Sequence, residues 1–151
     1  MRHTYRCTLR WSDMDAFGHV NNVVYLRYLE EARIDWLFRL AREAQPSGGS
    51  GAEDEAPFSG GSVVARHEID YLRPLRHRHE PVTIDTWVTK VSAASATVAY
   101  EIRDEQTVYA RALTVIVPYD LKEERPRRFT SYERTFLEGY CDDSAAAPRF
   151  R

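Results

Sequence analysis

The chain has 151 residues, 43% hydrophobic and 29% charged, the size and make-up of one globular domain rather than of a fibrous or wholly disordered protein. With 21 Lys+Arg against 23 Asp+Glu the net charge is -2, which argues against a general nucleic-acid binder. No stretch approaches the ~20 apolar residues of a membrane span. Residues 1–7 contain no apolar core of a secretory signal. Two cysteines, Cys7 and Cys141, make neither a disulfide framework nor a four-ligand zinc site by themselves. These bounds predict a cytoplasmic domain over residues 1–141 with a flexible tail over 142–151.

Residues 5–11 alternate loosely between apolar and polar and predict a first strand ending near Trp11. Residues 12–22 break every period, with Asn at their end as a helix N-cap candidate. From Val23 to about Ala44 the pattern is helical. Tyr25, Tyr28, Leu29, Ala32, Trp36, Leu37 and Leu40 form one wide apolar face, opposite Arg27, Glu31, Asp35, Arg39 and Arg42. Arg27/Glu31 and Asp35/Arg39 stand at i,i+4 pairing distance. Residues 45–61 are rich in Gly, Ser, Pro, Ala and Glu, with Phe58 almost the only apolar residue, and read as a mobile loop.

The second half is rich in strands, predicted at 62–72, 81–91, 96–103 and 107–117. In the second of these Val82, Ile84, Thr86 and Val88 alternate with Thr83, Asp85, Trp87 and Thr89. The short connections suit antiparallel hairpins. Residues 131–140 predict a closing helix after the basic segment 122–128. One long helix with a wide apolar face needs a curved sheet to bury it, so the fold class is α+β, a sheet of about five strands wrapped around one central helix. Trp87 and several Val and Thr side chains are expected on the sheet's other face, and that face or an edge of the sheet is left for a second copy.

Chemistry concentrates at residues 12–25. Two carboxylates (Asp13, Asp15), an imidazole (His19) and two amides (Asn21, Asn22) stand just before the positive end of a long helix. Backbone N–H groups there are unpaired and can receive a polarised carbonyl oxygen. A carboxylate a few residues upstream can serve as base or nucleophile on the same carbonyl. The same residue types also cap helices and shape turns.

The run Asp13-Met14-Asp15-Ala16-Phe17-Gly18-His19-Val20-Asn21-Asn22-Val23-Val24-Tyr25, followed by Tyr28-Leu29-Glu30-Glu31-Ala32-Arg33, resembles the signature of the hotdog-fold acyl-CoA thioesterases. The branch is the 4-hydroxybenzoyl-CoA thioesterase-like one, in the form shared by long-chain acyl-CoA thioesterases. Residues 69–75, Ile-Asp-Tyr-Leu-Arg-Pro-Leu, resemble the family's second-strand ending. The resemblance implies a hotdog fold and the hydrolysis of acyl-CoA to a carboxylic acid and CoA, with no cofactor.

Carried over by position, the resemblance places the catalytic carboxylate at Asp15, as general base or nucleophile. It places the oxyanion donor at the backbone N–H of Asn22. His19 matches a histidine of the plant acyl-carrier-protein thioesterases, but Phe17 stands where those enzymes have asparagine. Direct catalysis and a loop-ordering hydrogen bond both fit His19. Asn21 either orients Asp15 or the water, or caps the helix. Asp13 is expected to hold the loop or to pair with Arg10 or Arg33, and Tyr25 and Tyr28 are expected in the core.

Coenzyme A carries phosphates, and Arg73, Arg76 and Arg78, beside His77 and His79, form the densest cationic run. A solvated turn explains that run equally well. His77 and His79 lack a third ligand at metal spacing, so no metal is expected. A homodimer or homotetramer is expected, with neither nucleic acid nor membrane as partner. Two rivals remain: cleavage of acyl-carrier-protein thioesters, and a non-catalytic acyl-CoA-binding hotdog protein.

Overall fold

The computed structural model describes residues 1–44, 57–58 and 61–142. Strand β1 (His3–Cys7) leads through a short 3-10 turn (Trp11–Asp13) into helix α1, residues 22–43. Strands β2 (Ser62–Tyr71), β3 (Val82–Val91), β4 (Ala96–Arg103) and β5 (Val108–Asp120) follow, then the two-residue β6 (Arg125–Pro126) and helix α2 (Ser131–Glu138). All neighbours are antiparallel, in the order β1-β3-β4-β5-β2, with β6 on the end of β5. This is the curved sheet around one long helix expected from the sequence, the hotdog fold.

Strand β1 stops short of the expected Trp11 because its partner runs out: Cys7 pairs with Val82, the first residue of β3. Past it the chain turns, with Arg10 N–H donating to Asp13 Oδ2 at 3.1 Å. Helix α1 begins one residue early, and residues Asp35–Leu40 adopt a π-helical turn that the 3.6-residue period did not announce. Strand β5 runs to Asp120, past the expected 117, because Pro118 pairs with Ser62 and Asp120 with Arg125.

One row of the sheet shows how the core is built. His3, Thr86, Tyr100, Ala112 and Ile69 stand side by side across β1, β3, β4, β5 and β2, on the face turned to α1. Tyr25, Leu29, Ala32, Trp36 and Leu37 meet that face and are almost wholly buried. Each large apolar side chain so buried contributes about 1.5–3 kcal/mol before entropy is counted.

Trp87 corrects an expectation. It does point away from α1, but only 2% of it is exposed, because the Arg2 guanidinium lies over its ring at 3.8 Å. A side chain of this same chain covers the indole, which is therefore not available to a second copy. The expected loop 45–61 lies mostly outside the described residues, yet Phe58 is fully buried. Its N–H donates to Glu133 Oε2 at 2.6 Å and its ring meets Phe129 and Phe136. Of the expected tail only Asp142 is described, and it is tied down: Arg2 Nε donates to its Oδ2 at 2.9 Å.

His3 sets a pH dependence. Only 6% of it is exposed, with Nε2 at 3.1 Å from Asp35 Oδ2, and Arg39 Nε donates to the other oxygen of Asp35 at 2.6 Å. Burial, with the Arg39 charge added, outweighs the pull of Asp35 and holds the imidazole below its ordinary pKa. The unfolded chain therefore takes up a proton near the ordinary value of about 6.5 that the folded chain refuses. Stability is expected to fall as pH drops below that value, and His3→Gln to flatten this part of a denaturant-midpoint profile. An unchanged slope in the variant would place the titration elsewhere.

Candidate active site

Residues 12–21 have few side chains that pack, so backbone hydrogen bonds give the segment its shape. Asp15 N–H donates to His19 O at 2.8 Å, Gly18 N–H to Asp15 O at 3.1 Å, and Asn21 N–H to Asp13 O at 2.9 Å. Val20 N–H donates to Leu75 O at 2.8 Å, which ties the segment to the chain leaving β2. The turn closes through Gly18 at φ +76°, a conformation that a side chain rarely adopts. A Cβ there would touch nothing within 4 Å. Gly18→Ala is therefore expected to cost backbone strain alone, about 1–2 kcal/mol by thermal unfolding. A neutral substitution would show that the turn relaxes freely.

Asp15 is seated by this turn. Its Oδ1 accepts from the Phe17 N–H at 2.9 Å and from the His19 N–H at 3.4 Å. Oδ2 has no hydrogen-bond partner among the described residues. The carboxylate is thus fixed by one oxygen and open at the other. Asn21 caps α1, its Oδ1 accepting from Val23 N–H at 3.0 Å. Asn22 opens the helix, and its N–H has no acceptor among the described residues, as expected for the first turn of a helix.

A hollow of about 320 Å³ brings these groups together, lined by Asp15, His19, Asn22, Tyr25, Tyr71 and Arg73 among others. Tyr71 Oη donates to Asn22 O at 2.8 Å and its ring meets Tyr25 edge-on at 5.1 Å, so this pair walls the inner side. The sequence offered no signal for Tyr71 as a wall, because its place depends on β2 ending beside the start of α1. Trp11, 77% exposed, stands edge-on to His77 at 5.7 Å.

Of the seven residues singled out from the sequence, Asp15, His19, Asn22 and Arg73 line the hollow and Asn21 is the helix cap. The backbone of His19 orders the loop, its N–H donating to Asp15 Oδ1 and its carbonyl accepting from the Asp15 N–H. Arg76 is exposed on the adjacent loop. Arg78 is not brought to the hollow: its Nη1 donates to Asp104 Oδ2 at 2.8 Å and its Nε to Glu80 O at 3.2 Å. Hydrogen bonds from Tyr109 first and Arg78 second hold the Asp104 carboxyl well below the usual carboxylate range.

Asp13 holds the loop as expected, by Arg10 N–H, but its side-chain partner is Tyr28 rather than Arg33. Tyr28 Oη donates to Asp13 Oδ2 at 2.6 Å. Burial, then that carboxylate, keeps the phenol protonated far above its ordinary pKa. Among the described residues no three His, Cys, Asp or Glu side chains gather as metal ligands. Likewise no described helix is long and apolar enough to cross a membrane.

The fold thus sets an anchored carboxylate beside the start of its long helix α1. A profile of the thioesterase-like superfamily matches residues 9–138. The chain belongs to that superfamily. It superposes on a thioesterase from Thermus thermophilus, solved with coenzyme A and Zn, with a TM-score of 0.69 and 28% identity over 91% of this chain and 92% of that one. A predicted thioesterase from Bacillus stearothermophilus shares the fold, with a TM-score of 0.76 and 23% identity over 96% of this chain and all of that one. The Bacillus subtilis protein YsmA is 30% identical over 95 residues, 63% of this chain and 56% of its own length. This chain thus matches little more than half of that relative.

Proposed function

We propose that this protein is an acyl-CoA thioesterase with Asp15 as its base or nucleophile. One observation carries the reading: Asp15 is held by Oδ1 and open at Oδ2, in the same hollow as the unpaired N–H of Asn22. In the base form of the mechanism, Oδ2 takes a proton from water as the water oxygen attacks the thioester carbon. The carbonyl oxygen gains negative charge and is received by the Asn22 N–H, where the helix dipole favours an anion. Collapse of the adduct breaks the C–S bond, and the proton held by Asp15 goes to the departing thiolate. The products are a carboxylic acid and free CoA.

The T. thermophilus relative solved with coenzyme A supports CoA as the carrier. Exposed Arg73 on the rim and Arg76 beyond it are the cations for its phosphates. Among the described residues the outer edge of β2 has no strand partner, and this ten-residue edge, with Val63 and Val64 exposed, supports pairing with a second copy.

The test is thiol release across short, medium, long and aromatic acyl-CoAs, run beside the matching acyl-carrier-protein thioesters. Hydrolysis of at least one CoA series is the expected result. Much faster turnover on the carrier protein would reassign the carrier. Saturable acyl-CoA binding without thiol release would leave a binding protein.

A further inference from the structure

Arg33 lies on the sheet-facing side of α1 and is only 9% exposed. Its Nη1 donates to Tyr100 Oη at 3.2 Å, and no carboxylate of the described residues pairs with it. A guanidinium has five donors, never gives up its charge in a protein, and is costly to bury without an anion. The partly buried guanidinium of Arg127, by contrast, has the carboxylate of Glu133 against it. Among the described residues, the Tyr100 hydroxyl is the hydrogen-bond partner of Arg33.

Its surroundings point to what would complete it. Strand β2 meets the start of α1 at the hollow, where Tyr71 bonds Asn22, and four residues back along it His67 lies within electrostatic reach of Arg33 and Glu30. Half-buried Leu26 of α1 and Ile69 of β2 pack against the core. From Asn22 to Arg33 the helix rises roughly 16 Å, and from Tyr71 to His67 the strand covers about 13 Å. His67 Nδ1 is 2.8 Å from Thr114 Oγ1. When that hydroxyl donates to Nδ1, Nε2 carries the hydrogen and is left as a donor. Burial, with the Arg33 charge added, outweighs Glu30 and holds the imidazole below its ordinary pKa, so it is a neutral donor at neutral pH.

We propose that Arg33 is a carboxylate-binding subsite beneath α1, beyond the hollow. The acyl group preferred by this enzyme would then end in a carboxylate rather than a methyl group. The thioester carbon lies at Asp15 and Asn22, the methylene chain runs past Tyr71, Leu26 and Ile69, and the distal carboxylate meets the guanidinium. The inference rests on the thioesterase reading and names its substrate class: medium-chain monothioesters of dicarboxylic acids.

The experiment compares kcat/KM for ω-carboxyacyl-CoAs and methyl-terminated acyl-CoAs of equal chain length, in wild type, Arg33→Met and Arg33→Lys. Wild type is expected to favour the ω-carboxy series. Arg33→Met should remove about 10- to 100-fold of that preference through KM, the worth of a charge-assisted hydrogen bond. Turnover of the methyl-terminated series should hold, and Arg33→Lys should keep part of the preference. No preference in wild type, or one that survives Arg33→Met, overturns the subsite.

Weaker self-association of Arg33→Met with preference unchanged would give the guanidinium to a second copy's carboxylate, and also overturns it. Should Arg33→Met fail to fold, His67→Gln and Tyr100→Phe are read the same way. Should wild type hydrolyse neither series, the thioesterase reading fails. The subsite is then decided by calorimetry with a free dicarboxylate and its matched monocarboxylate: tighter dicarboxylate binding, lost in the variants, upholds it, and equal binding overturns it.

Discussion

Asp15→Asn is expected to lower thioester turnover by about 10²- to 10⁴-fold, the usual contribution of a positioned acid–base group. It should leave the thermal midpoint close to that of wild type. The two halves of this expectation separate catalysis from architecture. An asparagine keeps an oxygen that can accept from the Phe17 and His19 N–H groups, so the turn retains its hydrogen bonds. What it loses is a carboxylate oxygen able to take a proton from water or to attack the carbonyl carbon. Thiol release and circular dichroism on the same preparation make the check, and a folded variant with wild-type turnover would remove Asp15 from the chemistry.

The largest loss of stability is expected at Glu133, far from that loop. This carboxylate is 1% exposed and receives Arg127 Nη1 at 2.8 Å and Nη2 at 3.0 Å, Thr130 N–H at 2.8 Å and Phe58 N–H at 2.6 Å. It therefore joins the start of α2, the β6 region and the chain entering β2. Glu133→Ala should cost about 3 kcal/mol in denaturant unfolding, the low end for a broken buried pair, because Arg127 is partly solvated. A loss below about 1 kcal/mol would show that water replaces the carboxylate freely.

Burial raises the pKa of Glu133, but the hydrogen bonds from Arg127, Thr130 and Phe58 more than offset it, and the folded value lies below the ordinary one. Its contribution is thus complete above the ordinary carboxylate range and disappears as pH falls through the lowered folded value. Glu133→Gln should flatten the acid side of the stability profile.

The sequence carried the fold well, and for a physical reason. The apolar face of α1 and the alternation in β3 are both one-sided burial patterns, and burial decides where each element lies. Ends and irregularities were less legible, because they depend on partners. Strand β1 stops where β3 begins, β5 continues because β6 meets it, and the π-helical turn at Asp35–Leu40 left no mark on the apolar period.

The site divides in the same way. Asp15, His19, Asn21 and Asn22 are contiguous with a helix start and could be read locally. Tyr71 joins them only through the packing of β2 on α1. Asp104 draws Arg78 away across 26 positions of sequence, and Phe58, read as part of a loop, has its anchor 75 positions away in Glu133.

The acid of the site is held by the main chain. Amide groups of residues 17 and 19 grip Asp15, whatever side chains those residues carry, and glycine is required only at 18. The phenyl ring of Phe17, 84% exposed, and the imidazole of His19 are therefore free to change without unseating the acid. On the proposed reading the loop separates the acid from an adjustable rim. A lineage, or a laboratory library randomised at 17 and 19 alone, can explore new substrates while the machinery beneath stays in place.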